Sequence, residues 1–135
     1  MNITTKGRYA LRIMIDLAQQ EKDVVVSLKS ISERQGISMK YLEAIAAVLN
    51  KAGYITSSRG KNGGYRLSRA PEEYAIGDLL KLTEGSLAPV SCLESGCPNS
   101  ASCLTLPLWA GLDRRIDEYL ARVTLGDIIN GTVPE

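Results

Sequence analysis

Apolar positions in the first half of the chain recur at helical spacing. Between Thr5 and about Gln20, the residues Tyr9, Ala10, Ile13, Met14, Leu17 and Ala18 fall on one face, which predicts an amphipathic helix that Thr4 or Thr5 can cap. Val24-Val25-Val26 is a β-branched run suited to pairing with a later strand. Ser27 then stands as the N-cap of a short helix from Leu28 to about Gln35, with Leu28 and Ile31 inward. Gly36 ends that helix, because glycine tolerates the left-handed conformation beyond a helix end. Ser38 caps the next helix, Met39 to about Ala52, and Ile37 with Leu42 forms a hydrophobic staple at its entry. Leu42, Ile45, Ala46 and Leu49 are its buried face, and Gly53 stops it. Two helices joined by a tight turn at Gly36 make a helix-turn-helix candidate.

The period then changes from helix to strand. Tyr54 to Ser58 and Tyr65 to Ser68 read as two strands around Arg59-Gly60-Lys61-Asn62-Gly63-Gly64. Asn62-Gly63 predicts a hairpin turn, since both residue types accept positive φ. A hairpin directly after a helix-turn-helix is a wing, and this one carries the cations Arg59, Lys61 and Arg66. Beyond Pro71, Ile76 to Glu84 reads as a helix closed by Gly85. Residues 86–104 form a loop rich in Ser, Pro and Gly that holds Cys92, Cys97 and Cys103. A loop of that length is uncommon unless functional or disordered. Thr105 is the expected cap of a long helix to about Val123, whose stripe of Leu108, Trp109, Leu112, Ile116, Leu120 and Val123 has near-heptad spacing. Thr124 caps a last short helix through Ile128 and Ile129. The fold class is therefore mostly α with a small β-wing, a winged helix-turn-helix followed by a long C-terminal helix. The division expected is 1–85 for DNA binding, 86–104 for the cysteine loop and 105–135 for dimerisation.

Length and composition narrow the chemistry. With 135 residues, 44% hydrophobic and 23% charged, the chain can bury a core. It contains no histidine, which removes Ser-His-Asp and Cys-His catalysis and imidazole-bearing zinc sites; no enzyme is expected. No apolar run approaches the roughly 18 residues of a membrane helix, and Met1 to Lys6 carries no apolar signal core, so a cytoplasmic location without membrane contact is expected. The net charge of +1 hides an asymmetry. Residues 1–69 hold twelve Lys and Arg against five Asp and Glu, whereas residues 70–135 hold four against ten. A front half at +7 and a rear half at −6 point to a polyanion partner for the first.

Double-stranded DNA suits that half. A recognition helix offers its first turn to base edges in the major groove, and here that turn presents Ser38, Lys40, Tyr41 and Glu43. Glu43 suits the cytosine amino group, and Lys40 and Tyr41 suit phosphate or base contacts. Ser38 can cap its helix and meet DNA at once. Arg59, with Lys61 beside it on the wing, is placed to probe the narrow minor groove of A·T-rich duplex, and the wing glycines would let backbone approach the sugar-phosphate chain. The glycine-rich turn does not read as a nucleotide-binding loop, because it joins two strands and matches neither phosphate-loop pattern.

The three cysteines are spaced C-x4-C-x5-C within one loop, and none lies elsewhere. An odd count without a secretion signal argues against a disulfide framework, and thiolates are the usual ligands of iron–sulfur clusters. Zinc is a weaker reading, since a closed structural site takes four protein ligands.

Thr5-Lys6-Gly7-Arg8-Tyr9-Ala10-Leu11, Ile31-Ser32-Glu33-Arg34-Gln35-Gly36-Ile37-Ser38, Tyr41-Leu42-Glu43, Arg59-Gly60, Gly63-Gly64-Tyr65 and Thr124-Leu125-Gly126-Asp127 resemble the winged-helix iron–sulfur cluster regulators of the IscR type, in order and over nearly the whole chain. The resemblance implies a homodimeric bacterial transcription factor, a repressor of iron–sulfur assembly or related sulfur genes, acting on a pseudo-palindromic operator. Relatives sense nitric oxide or cysteine availability, so a cluster-free cysteine or thiol-redox repressor working through a partner protein is the alternative. The resemblance also implies DNA contacts at Ser38, Lys40, Glu43 and Arg59, dimerisation through the stripe from Trp109 to Val123, and a cluster of the [2Fe–2S] type on Cys92, Cys97 and Cys103. One departure stands out. The family's cluster-binding histidine, three residues past the third cysteine, is Leu106 here, and the aspartate of the nitric-oxide sensors is Arg8. The fourth ligand is thus open between Glu94, Ser91, Ser95, a backbone group, water and a small thiol, and a [4Fe–4S] centre with one open iron is the other option.

Overall fold

The one-face pattern at the N-terminus becomes helix α1, Thr5–Ala18, in a computed structural model that describes residues 3–135. Its buried face is the expected one: Ala10, Ile13, Met14 and Leu17 are shut away from solvent. The cap differs from expectation. Thr4 occupies the N-cap position without closing the helix; its hydroxyl donates to Glu84, whose carboxylate accepts the backbone N–H groups of Thr4 and Gly7 (both 3.1 Å). Two N–H donors at the start of the helix are thus satisfied from 80 and 77 residues away.

Helix α2, Leu28–Gln35, is capped by Ser27, which accepts the Ser30 N–H, and ends at Gly36 with φ +66°. Helix α3, Met39–Lys51, is capped by Ser38, which accepts the Tyr41 N–H. Ile37 and Leu42 are both buried beside that cap, as a staple requires. Leu42, Ile45, Ala46 and Leu49 of α3 close over the apolar face of α1, with Ile31 of α2 beside them.

Strands β1, Ile55–Ser58, and β2, Gly64–Leu67, pair antiparallel from Ile55↔Leu67 to Ser58↔Gly64. Val26 adds a third rung against Tyr65, with both N–H···O bonds at 2.8 Å, so the valine run does pair with the hairpin. The turn departs from the Asn-Gly expectation. It spans residues 59–63, Gly60 alone within it takes positive φ (+107°), and the Gly63 N–H bonds the Gly60 carbonyl. The other wing glycines serve the fold. A Cβ on Gly64 would meet the Val26 carbonyl oxygen at 2.2 Å, and one on Gly63 the Ser58 oxygen at 2.5 Å. Only Gly60 faces open space, so it alone keeps the expected freedom to approach a ligand. At the base of the wing the buried Tyr74 hydroxyl donates to the Tyr54 carbonyl (2.7 Å) and accepts from the Ser68 and Arg69 N–H groups. Arg69 lies over the rings of Tyr54 and Tyr74.

A 3₁₀ turn at Pro71–Glu73 leads into α4, Ile76–Glu84, which packs on α1 through Leu79 and Leu80 and ends at Gly85 with φ +82°. The cysteine loop contains one short helix, α5, Cys92–Ser95. The long helix is α6, Leu106–Arg122, with a proline in its first turn. Thr105 does not cap it; its hydroxyl is 3.3 Å from the Cys103 sulfur. Helix α7, Leu125–Asn130, carries a capping box in which the Thr124 hydroxyl accepts the Asp127 N–H and the Asp127 carboxylate accepts the Thr124 N–H. Backbone bonds from Ile76 to Val123 and from Leu125 to Tyr74 tie this end back to the start of α4, and Leu125 joins the central core. No helix among the described residues is long and apolar enough to cross a membrane.

Candidate nucleic-acid interface and thiol loop

The turn at Gly36 delivers the first turn of α3 to the surface. Ser38, Lys40, Tyr41 and Glu43 are all exposed there, while Leu42 between them is fully buried. Burial of Leu42, Ile45 and Leu49 therefore sets which face of α3 looks outward. Tyr41 is 59% exposed, large for an aromatic ring, and it meets Tyr9 of α1 in an edge-on approach with centroids 6.1 Å apart. Arg12 lies over Tyr9 at 5.7 Å, so the surface beside α3 continues onto α1. Sequence reasoning counted Tyr9 as core and passed over Arg12; an aromatic at the edge of the apolar stripe, followed three residues on by arginine, was the available signal.

The angle between α1 and the helix-turn-helix is held by a buried carboxylate. Asp16 is only 2% exposed, and it accepts from Arg34 through Nε (3.0 Å) and a terminal nitrogen (2.7 Å). Gln35 Nε2 adds a third bond at 3.0 Å, and Arg12 donates to the Gln35 side chain and carbonyl. Burial pushes the Asp16 carboxyl upward, but the hydrogen bonds from Arg34 and Gln35 and the Arg34 charge outweigh it and hold it below its usual range. All of these partners sit at the end of α2 or on α1, next to the turn that launches α3. Polar residues spaced 18 apart carry no local pattern, so the clamp was not legible in the sequence.

The wing presents Arg59, Gly60 and Lys61 exposed at its tip, with Arg66 partly covered on β2. None of the three cations forms an ion pair among the described residues; the pairs present are Arg34–Asp16 and Lys81–Asp117. Exposed Lys40, Arg59 and Lys61 thus leave α3 and the wing cationic.

Cys92, Cys97 and Cys103 are free thiols, Cys103 exposed and the others partly covered. Cys92 opens α5 beside Glu94 and Ser95, and Leu106 opens α6. The described residues contain no group of three or more His, Cys, Asp or Glu side chains arranged to hold a metal ion. The donor set fits an iron–sulfur cluster in kind, with three thiols in one loop, but the thiols are not gathered and the set is one ligand short. The Cys103 thiol is drawn below its ordinary value by the Thr105 hydroxyl and by the backbone N–H groups of Thr105 and Leu106.

On α6 the apolar stripe divides. Leu108 and Leu112 are exposed (62% and 41%), as is Leu104 before the helix, and Trp109 is half-buried. Ile116 and Leu120 lean on the chain's own core, with Leu120 against Gly77 of α4. Val123 is buried in that core, which removes it from any surface the stripe offers a partner; its place at the end of α6, where the chain turns into α7, explains the difference.

A helix-turn-helix with an adjoining cationic hairpin defines a winged-helix DNA-binding protein. The comparisons narrow the class. Residues 3–131 match the model of the Rrf2 family, described as iron-dependent transcriptional regulators, and the chain belongs to that family. It is 42% identical over 131 residues to protein rrf2 of Nitratidesulfovibrio vulgaris strain Hildenborough, covering 96% of this chain and 87% of that one. It is 42% identical over 130 residues to the HTH-type transcriptional regulator IscR of Aliivibrio salmonicida, covering 96% and 77%. Among solved structures it is similar to CymR, the global cysteine regulator of B. subtilis, with a TM-score of 0.81, 37% identity and 98% of both chains covered. T. potens IscR gives a TM-score of 0.78 at 40% identity, covering 97% and 88%. The chain is thus a transcriptional regulator of the IscR type and not an enzyme.

Proposed function

We propose that the chain works as a homodimeric repressor whose DNA binding answers to iron–sulfur supply, controlling iron–sulfur assembly or related sulfur genes. The observation that carries this is the confinement of all three cysteines, as free thiols, to one loop between the winged helix and the long helix. Ser38, Lys40, Tyr41 and Glu43 would read the major groove while Arg59 and Lys61 follow the minor groove and backbone. The exposed face of Leu108 and Leu112, with Trp109 and Ile116 beside it, supports pairing with a second copy. Two recognition helices related by a two-fold axis call for a pseudo-palindromic operator with half-sites about one helical turn apart.

Cys92, Cys97 and Cys103 would hold the cluster, leaving one position to Glu94, Ser91, Ser95 or a ligand from solution. Bound there, the cluster supplies a redox-active, thiolate-held group whose potential follows its ligand set. The chain's own part is to let loop order bias the DNA-binding conformation, and a tenfold change in affinity needs about 1.4 kcal/mol.

A cluster-free thiol reading is also supported, by the ungathered cysteines and the exposed Cys103 beside Thr105. Likeness to a cysteine regulator points the same way. Iron and sulfide analysis of anaerobically prepared protein separates the two. The cluster reading predicts visible absorbance that disappears when Cys92, Cys97 and Cys103 are all replaced by Ala, with the helical circular dichroism retained. Colourless wild-type protein, free of iron and sulfide, leaves the thiol reading in its place.

A further inference from the structure

We propose that Glu84 is a positioning residue for DNA recognition, a latch that fixes the start of α1 and links the recognition helix to the cysteine loop. The link to the loop rests on the sensing role proposed above; the positioning role does not.

Glu84 is the last residue of α4 and stands directly before Gly85, where the chain turns into the loop. Its carboxylate accepts the Thr4 N–H (3.1 Å), the Thr4 hydroxyl (2.8 and 3.0 Å to its two oxygens) and the Gly7 N–H (3.1 Å). It therefore does for α1 what an N-cap side chain does for an ordinary helix, and it sets a negative charge against the positive end of the helix dipole. The approach demands glycine at position 7, because a Cβ there would lie 2.4 Å from the Glu84 oxygen. Two residues further along α1 is Tyr9, whose ring touches Tyr41 on the exposed turn of α3. One short path thus runs from the loop through Gly85 and Glu84 to Gly7, Tyr9 and Tyr41. Leu87, buried in the core three residues beyond Glu84, is the first anchor of the loop; movement that shifts it reaches Glu84 next, and release of Glu84 frees the part of α1 that supports Tyr41.

The test compares wild type, Glu84→Gln, Gly7→Ala and the double variant. Each is titrated by fluorescence anisotropy against a duplex that the wild-type chain enriches from a randomised pool, and against a scrambled duplex of equal composition. Affinity for the enriched duplex should fall about 3- to 30-fold in either single variant, with little change on the scrambled one. The double variant should lose no more than the worse single, because both changes break one contact. Alanine is the better helix former, so a loss in Gly7→Ala comes from displacing the carboxylate. Thr4→Val, which removes one donor, serves as the milder variant where Glu84→Gln folds poorly. Unchanged specific affinity, equal loss on both duplexes, or additive losses would overturn the positioning role.

The same proteins are then compared after anaerobic treatment with ferrous iron and sulfide. The wild-type change in affinity on treatment should shrink toward none in the latch variants. A wild-type change that the variants keep in full overturns the link. A wild type that does not respond overturns the sensing role and the link together, while the first comparison still decides the positioning role.

Discussion

Arg59 carries the clearest consequence at the scale of single residues. It stands exposed on the wing tip with no acidic partner among the described residues, next to Gly60, the one wing glycine open to solvent. Arg59→Ala should weaken binding to the enriched duplex by about 1–3 kcal/mol and relax preference at A·T positions, measured by anisotropy on a set of base-substituted duplexes. Equal affinity across that set, matching wild type, would remove Arg59 from the interface. Residues whose role is local were legible in the sequence. Ser27, Ser38 and Thr124 announce their caps because the N–H groups they satisfy lie three residues away. Glu84 was illegible for the opposite reason, since its partners Thr4 and Gly7 are 80 and 77 residues distant. Gly63 and Gly64 were read as ligand-facing, but the sequence does not tell that Val26 and Ser58 fill the space beside them.

Among the elements, the decisive relation is that of α1 to the helix-turn-helix. Hydrophobic periodicity gave α1 to α4 their inward faces, because amphipathic spacing records burial directly, but it missed the four-residue α5 in the segment read as loop and did not tell which part of the α6 stripe turns inward. It did not give the polar clamp of Asp16, Arg34 and Gln35 that sets how α2 enters the turn before α3. Asp16→Asn keeps the shape and loses the charge, so it should cost about 1–3 kcal/mol at pH 7 in urea unfolding. The pH dependence has a definite sign. The carboxyl is held below its ordinary 3.8, where the unfolded chain ionises, so its contribution is complete above that value. It is lost as pH falls from 3.8 through the lower folded value, and the gap between wild type and Asp16→Asn should close in that window. A gap that stays constant to pH 3 would mean that the charge is not what holds the clamp. The thiol loop was legible as a segment, by its composition, but not as a geometry, since three thiols 5 and 6 residues apart in a loop are free to stay apart.

For the molecule as a whole, the charge is divided, with a cationic front half and an acidic rear half, which fits the proposed split between DNA binding and dimerisation. Exposed Lys40, Arg59 and Lys61 lie on α3 and the wing, and exposed Leu108 and Leu112 lie on α6. That surface is narrower than the sequence stripe, because Ile116, Leu120 and Val123 turn toward the chain's own core. If the proposed dimer forms through this face, Leu112→Asp should convert it to monomers by light scattering after size exclusion, without loss of helical structure. Monomers should also lose much of the affinity for a two-half-site duplex, since each recognition helix then binds alone. A dimer that survives the substitution would put the interface on another face.

Joint reading of duplex sequence by α3 and the wing is the proposal on which the function rests. Anisotropy titration of the wild-type chain against its enriched duplex and the scrambled control, at about 0.15 M salt, tests it most directly. Such a surface should give a preference of at least about 10³-fold for the enriched duplex, with affinity for both duplexes falling steeply as salt rises. Equal affinity for the two duplexes would contradict it.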